Sequence, residues 1–174
     1  MPRAELKMPT QSVAVQISNR EAWNSERSLH DADFYTVGYS GRDITSFIAA
    51  LKNAGVRTLL DIRHMPVSMY KPDFSKNNLM RALDDNGIIY VHDPSLGVPR
   101  DIRGRAVGQE TRDAIWLWYD DQVVPKYASR NLHWFFNSVE HPVALMCTEI
   151  DPTSCHRHRL ALALERRGLR FFDL

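Results

Sequence analysis

The stretch that decides the fold is Val143-Ala144-Leu145-Met146-Cys147-Thr148-Glu149, followed by Ile150-Asp151-Pro152-Thr153-Ser154-Cys155-His156-Arg157. An apolar run ends in a thiol and a carboxylate, and a turn-rich loop separates it from a second thiol, an imidazole and a guanidinium. This order predicts a strand, a loop and the start of a helix. Because open α/β sheets bind ligands beyond the carboxyl ends of their strands, we expect the functional site at this junction.

The rest of the chain repeats the alternation of strands and helices. Further strands are predicted at 34–39, 58–63, 88–92 and 169–173. The near-continuous apolar runs favour strands that are buried on both faces of a parallel sheet. We therefore predict one α/β domain over residues 33–174, a three-layer sandwich with a mostly parallel sheet of about five strands. Residues 1–32 are mixed and polar, and they predict an N-terminal extension.

Local signals mark where the helices begin and end. Asp43 suits an N-cap before an apolar face formed by Ile44, Phe47, Ile48 and Leu51. Ser75 suits the same role before Leu79, Met80 and Leu83, and Gly55, Gly87 and Gly168 suit helix ends. A helical aromatic insert, with Trp116, Trp118 and Tyr119 before Pro125 and Phe135 and Phe136 after it, is expected to fold over the sheet edge.

Composition narrows the classes of protein. The 174 residues carry a formal net charge of +1, so any polyanion binding must come from a local patch. Two cysteines do not make a disulfide framework, and they suit a reducing, cytoplasmic compartment. Since no apolar stretch approaches the roughly 20 residues that span a bilayer, we expect no membrane segment.

Several short motifs, in order, resemble one family. They are Thr36-Val37-Gly38-Tyr39-Ser40, Leu60-Asp61-Ile62-Arg63 with Pro66, Leu96-Gly97, Met146-Cys147-Thr148-Glu149 and Cys155-His156-Arg157. Over roughly residues 34–173, the chain resembles the bacterial and archaeal family called domain of unknown function 488. The resemblance implies a compact α/β domain and no established activity. The family usually has His where this chain has Tyr39, so a general base at that position would be missing here.

Polar side chains gather at the carboxyl edge of the predicted sheet. They are Ser40, Asp61, Arg63, His92, Cys147 and Glu149, with Tyr39 and His92 expected to line a pocket. Arg63 and Arg157 suit a fork for a phosphate, beside the anion-attracting start of the last helix. Asp61 and Arg63 also suit an ion pair that joins loop to sheet. The run from Arg100 to Arg105 suits a solvated loop or a phosphate contact.

The two thiols are candidate nucleophiles. The helix start and the neighbouring His156 and Arg157 would lower the pKa of Cys155, which favours the reactive thiolate. Glu149, His156 and Asp61 are the candidate groups for proton transfer. Alternatively, Cys147 is a packed strand end and Cys155 an ordinary helix-start residue. A Cys-x7-Cys-His spacing lacks the paired Cys-x2-Cys of common zinc sites, so no metal or other cofactor is predicted.

Three functions stay open at this point. The first is an enzyme that acts on a phosphate-bearing substrate, a nucleotide or a nucleic acid, through thiol or carboxylate chemistry. The second is a sulfur carrier that resembles a rhodanese, although Arg157 lies too far beyond Cys147 for the tight rhodanese loop. The third is a non-catalytic nucleic-acid-binding module that uses the basic loop and exposed aromatic rings such as Trp118 or Trp134.

Overall fold

The computed structural model describes residues 28–104, 109–130 and 138–174. Most of the predicted N-terminal extension, residues 1–27, lies outside the described residues. So do Arg105 of the basic run and Trp134, Phe135 and Phe136 of the aromatic insert. Within the part of the chain that is described, no helix is both long and apolar enough to span a bilayer.

A single parallel sheet forms the centre of the domain. Its strands are β1 (Phe34–Gly38), β2 (Thr58–Asp61), β3 (Ile89–His92), β4 (Val143–Cys147) and β5 (Phe171–Asp173). The five strands lie in the order β3-β2-β4-β1-β5, and every neighbouring pair is parallel. The register pairs Gly38 with Cys147 and Asp61 with Met146, so the carboxyl ends of β1, β2 and β4 share one edge.

Helices cover both faces of the sheet. They are α1 (Ile44–Asn53), α2 (Lys76–Asp84), α3 (Arg100–Arg103), α4 (Gln109–Gln122), α5 (Val124–Arg130) and α6 (His156–Glu165). One apolar core joins the sheet to Phe47 of α1 and Leu79 of α2. The other joins the opposite face to Tyr119 of α4 and Leu160 of α6. The predicted three-layer α/β sandwich is therefore confirmed, and its sheet is parallel throughout.

Most local signals act as the sequence predicts. The Asp43 carboxylate accepts a hydrogen bond from the Ser46 amide at 2.7 Å, which satisfies a free N–H in the first turn of α1. Pro125 lies in the first turn of α5 and separates it from α4. Ser75 precedes α2, but its hydroxyl accepts from the Ser68 amide at 3.1 Å instead of capping the helix. Met80 is exposed, so the buried face of α2 is narrower than predicted.

Candidate functional site

The loop between β4 and α6 lies directly against β1. At Gly38, an added Cβ atom would lie 1.8 Å from the Glu149 carbonyl oxygen and 2.6 Å from its carbon. Only glycine permits this close approach of two backbones. The Ser40 amide donates to the Thr148 carbonyl at 2.9 Å, so the backbone contact continues just beyond the ends of β1 and β4. The loop that carries Glu149 is therefore held at the edge where β1 and β4 end.

Arg157 of α6 also binds the loop between β4 and α6. Its guanidinium donates through Nη1 to the Glu149 carbonyl and through Nη2 to the Ile150 carbonyl at 3.3 Å. Its Nε donates to the Thr36 hydroxyl at 3.2 Å, and the side chain is 1% exposed. Because these donors are directed at protein oxygens, the predicted phosphate fork of Arg63 and Arg157 does not form. Arg157 instead ties α6 to the loop and to β1.

Asp61 and Arg63 form a buried ion pair. The Asp61 carboxylate accepts from Arg63 Nε at 2.9 Å and from Arg63 Nη2 at 2.6 Å. It also accepts from the Arg63 amide at 3.1 Å and from the Tyr90 hydroxyl at 2.7 Å. Arg63 Nη2 donates further to the Phe74 carbonyl at 2.9 Å. The sequence suggested two roles for Asp61, proton transfer or an ion pair with Arg63. In the structure Asp61 forms the ion pair.

One guanidinium nitrogen of Arg63 makes no hydrogen bond within the described residues. Arg63 Nη1 is buried and has no hydrogen-bond partner among the described residues. Burial alone would lower the pKa of Arg63, but the hydrogen bonds to Asp61 and the negative charge of that carboxylate raise it, so the group keeps its charge. The guanidinium lies 5.2 Å from the centre of the Tyr39 ring, and His92 Nε2 lies 2.9 Å from the Arg63 carbonyl.

A second cluster brings together four predicted residues. Cys147 Sγ donates to Glu149 Oε2 at 3.3 Å and lies 3.7 Å from His156 Nδ1. Cys155 Sγ lies 3.9 Å from the same nitrogen. Exposure is 0% for Cys147, 1% for Cys155 and 2% for His156, whereas Glu149 is only half-buried. The cluster is therefore closed to solvent except on the Glu149 side.

The pKa directions in this cluster differ from those that the sequence predicts. Burial, together with the neighbouring Cys147, raises the pKa of Cys155 well above its ordinary value, so the prediction of a lowered pKa was wrong. Burial alone would raise the pKa of Glu149, but hydrogen bonds, first from Cys155, hold it below its ordinary value. For His156, burial alone would lower the pKa, but Cys155 and Glu149 raise it. Desolvation of the Cys155 thiol therefore raises its pKa by more than the start of α6 can lower it.

A pocket of about 440 Å³ lies over Arg63. Its lining includes Arg63, Arg100, Arg103, Tyr39, His64 and Thr148, together with most of 65–70. Three of these residues are arginines, and no carboxylate lines the pocket within the described residues. Thr148 connects the pocket to the cluster, because its chain neighbours are Cys147 and Glu149. Trp118 lines a separate pocket, which shares His64 with the first.

Three residues of the site were not predicted as site residues from the sequence. Thr36, Gly38 and Tyr90 contribute a hydrogen bond, a close approach and a phenolic donor, and none belongs to a known catalytic pattern. Gly38 could have been found, since a glycine at the end of a buried strand often marks a close backbone approach. Arg100 and Arg103 belong to the basic run for which the sequence suggests a solvated loop or a phosphate contact, and both line the same pocket as Arg63.

Comparison with known proteins identifies a family. The family model described as Domain of unknown function DUF488 matches residues 43–164. No curated protein and no solved structure matches the chain. The matched region holds the Asp61–Arg63 pair, the pocket arginines and the whole cysteine cluster, and only the motif at 36–40 precedes it. Because the match covers well over half of the chain, this protein belongs to the family of the domain of unknown function DUF488.

Proposed function

We propose that this protein is an enzyme that acts on a phosphate-bearing substrate, a nucleotide or a single-stranded nucleic acid, bound in the pocket over Arg63. The observation that carries the proposal is Arg63 Nη1, a buried cationic donor without a partner in the described structure. A buried donor that is left unpaired costs roughly 1–3 kcal/mol or more when it is charged. A phosphate oxygen would satisfy it, and Arg100 and Arg103 would add exposed positive charge at the same pocket.

The rim of the pocket favours a ligand that also carries a base. Met65, Val67 and Met69 are exposed apolar residues, and the Tyr70 side chain is 98% exposed. All four line the pocket. Aromatic and apolar side chains beside a cationic groove are the usual means of stacking the bases of single strands. A nucleotide therefore fits this pocket better than inorganic phosphate, which would use the arginines alone.

The reacting group is expected on the Thr148 side of the pocket. Within the cysteine cluster, Glu149 is the only member that is not buried, whereas both thiols and the imidazole are enclosed. Accessibility thus favours carboxylate chemistry at Glu149 over a thiol nucleophile. The same burial supports the sulfur-carrier alternative less well, because a carrier sulfur must reach its acceptor.

Binding is the first test. Adenosine monophosphate and a short single-stranded oligonucleotide would be titrated calorimetrically into the whole protein at low and moderate salt. We expect both to bind, and the Arg100→Gln/Arg103→Gln double variant to lose about tenfold or more, since charge-assisted bonds contribute roughly 1.5–3 kcal/mol. Arg166→Gln/Arg167→Gln is the matched control, because these arginines are exposed and outside the pocket lining.

Two outcomes would contradict the proposal. The proposal fails if neither ligand binds, or if the pocket variant and its control lose the same amount of binding affinity.

A turnover assay then distinguishes an enzyme from a non-catalytic binding module. We expect the bound ligand to be converted by the wild-type protein, and Glu149→Gln to keep binding while turnover falls. Binding that is steeply salt-dependent but leaves every tested ligand unchanged would favour the non-catalytic nucleic-acid module.

A further inference from the structure

The cysteine cluster has the donor set of a metal site. Cys147, Cys155 and His156 each place one ligand atom so that the three atoms lie within 4.8 Å of one another. All three residues are buried. They come from two segments, the end of β4 and the start of α6, which Arg157 and Gly38 hold in place through the intervening loop. The ligand atoms therefore converge because rigid elements position them.

The separations match a tetrahedral ion. Zn–S bonds of about 2.3 Å and Zn–N bonds of about 2.0–2.1 Å place neighbouring ligand atoms roughly 3.4–3.8 Å apart. In this protein His156 Nδ1 lies 3.7 Å from Cys147 Sγ and 3.9 Å from Cys155 Sγ. The two sulfur atoms lie within 4.8 Å of each other. Shifts of up to about 1 Å would therefore complete the geometry, within the range of ordinary side-chain motion.

The orientation of His156 supports the same conclusion. Its Nε2 lies 3.3 Å from the Ile62 carbonyl, which is a pure acceptor, so this nitrogen carries the proton and donates. In the neutral ring, Nδ1 then keeps its lone pair. Cys155 Sγ lies 3.9 Å from Nδ1, and Cys147 Sγ lies 3.7 Å from Nδ1 and 3.8 Å from Nε2. Metal-binding histidines almost always donate their other N–H to a carbonyl or carboxylate in this way.

We propose that Cys147, Cys155 and His156 bind a divalent ion of the zinc class. Two thiolates and an imidazole suit Zn²⁺, whereas Mg²⁺ and Ca²⁺ prefer oxygen ligands. When the ion binds, two S–Zn bonds replace the two S–H bonds and both protons leave to solvent, with no change of oxidation state. Glu149 Oε2 lies 3.3 Å from Cys147 Sγ. The site stands whether or not the neighbouring pocket binds phosphate.

Cobalt provides the direct test. The whole protein would be treated with a chelator, dialysed, and titrated first with Co²⁺ and then with Zn²⁺. We expect one ion per chain, a thiolate-to-cobalt charge-transfer band, the visible absorption of tetrahedral cobalt, and displacement by Zn²⁺. Loss of an outer hydrogen-bond partner typically lowers metal affinity 10–100-fold. Cys147→Ser and His156→Gln remove direct ligands, so each should lower affinity by more than that.

The controls separate this site from other causes. His30→Gln should bind cobalt like the wild type, because His30 is exposed and precedes β1 at the opposite edge of the sheet. The Arg100→Gln/Arg103→Gln variant should also keep metal binding, even if nucleotide binding is lost. Because Cys147→Ser changes a buried core residue and can impair folding, wild-type unfolding is the second measurement, and Zn²⁺ should raise its midpoint temperature. No charge-transfer band, or an unchanged band in Cys147→Ser, would overturn the proposal.

Discussion

The Asp61–Arg63 pair offers the sharpest test of how the site is held together. The perturbation is Asp61→Asn, which keeps the size and shape of the side chain and removes its charge. The pair is almost completely enclosed, with side-chain exposures of 0% for Asp61 and 5% for Arg63. The amide nitrogen introduced by the substitution would replace one carboxylate oxygen and would face donors from Arg63 or Tyr90. The guanidinium would then be left buried and without a counter-charge.

The expected cost is large for this reason. Breaking a buried ion pair by removing one partner typically costs about 3–5 kcal/mol, because the remaining charge stays desolvated. Domains of this kind are stable by only about 5–15 kcal/mol, so the change removes a substantial part of the free energy of unfolding. For a chain of 150–250 residues, about 1 kcal/mol corresponds to roughly 2–4 °C, so the unfolding midpoint should fall by roughly 6–20 °C.

The assay is urea unfolding followed by tryptophan fluorescence, with the slope checked for two-state behaviour. The matched control is Glu140→Gln, which breaks the ion pair of Arg57 and Glu140 at a similar distance, 3.1 Å. Those side chains are 56% and 57% exposed, so solvent screens the pair. Exposed pairs contribute about 0–1 kcal/mol, and we expect the control to lose no more than that.

A double variant sharpens the interpretation. Asp61→Asn combined with Arg63→Met removes both charges, so its cost should be smaller than the sum of the two single costs. The reasoning is refuted if Asp61→Asn loses no more stability than Glu140→Gln. It is also refuted if the two single costs simply add, because the residues would then not be coupled through an unpaired charge.

Two further predictions concern the loop and the thiols. Gly38→Ala should destabilise the fold by about 1–3 kcal/mol, the usual cost of overpacking, because the new methyl group would clash with the Glu149 backbone; unfolding curves measure this, and an unchanged midpoint would contradict the close approach. In chelator-treated protein at neutral pH, neither Cys147 nor Cys155 should react with iodoacetamide until denaturant opens the fold, because both are buried and burial raises the pKa of Cys155. Rapid labelling of either thiol in the native protein, read by mass spectrometry, would show that the cluster is open.

Local sequence signals predicted most of the fold correctly. The five strands and the first helix follow from apolar runs and from the spacing of Ile44, Phe47 and Leu51. The N-cap at Asp43 also follows, because it depends on an amide three residues away. Ser75 shows the limit of such rules, since its hydroxyl bonds to Ser68 across a loop. Whether such a residue caps its helix depends on which other hydrogen-bond partners the folded chain brings close to its side chain.

By itself, the sequence determined the alternation of strands and helices and the edge at which the chemistry-bearing residues collect. Those features depend on periodicity and on neighbours within a few residues. Tertiary structure alone decided the environment of each side chain. Arg157 was drawn to the loop, Arg63 kept one nitrogen without a partner among the described residues, and Cys155 was buried so deeply that its pKa rises. Desolvation and the choice of hydrogen-bond partner depend on atoms that are distant in the chain, and no local spacing records them.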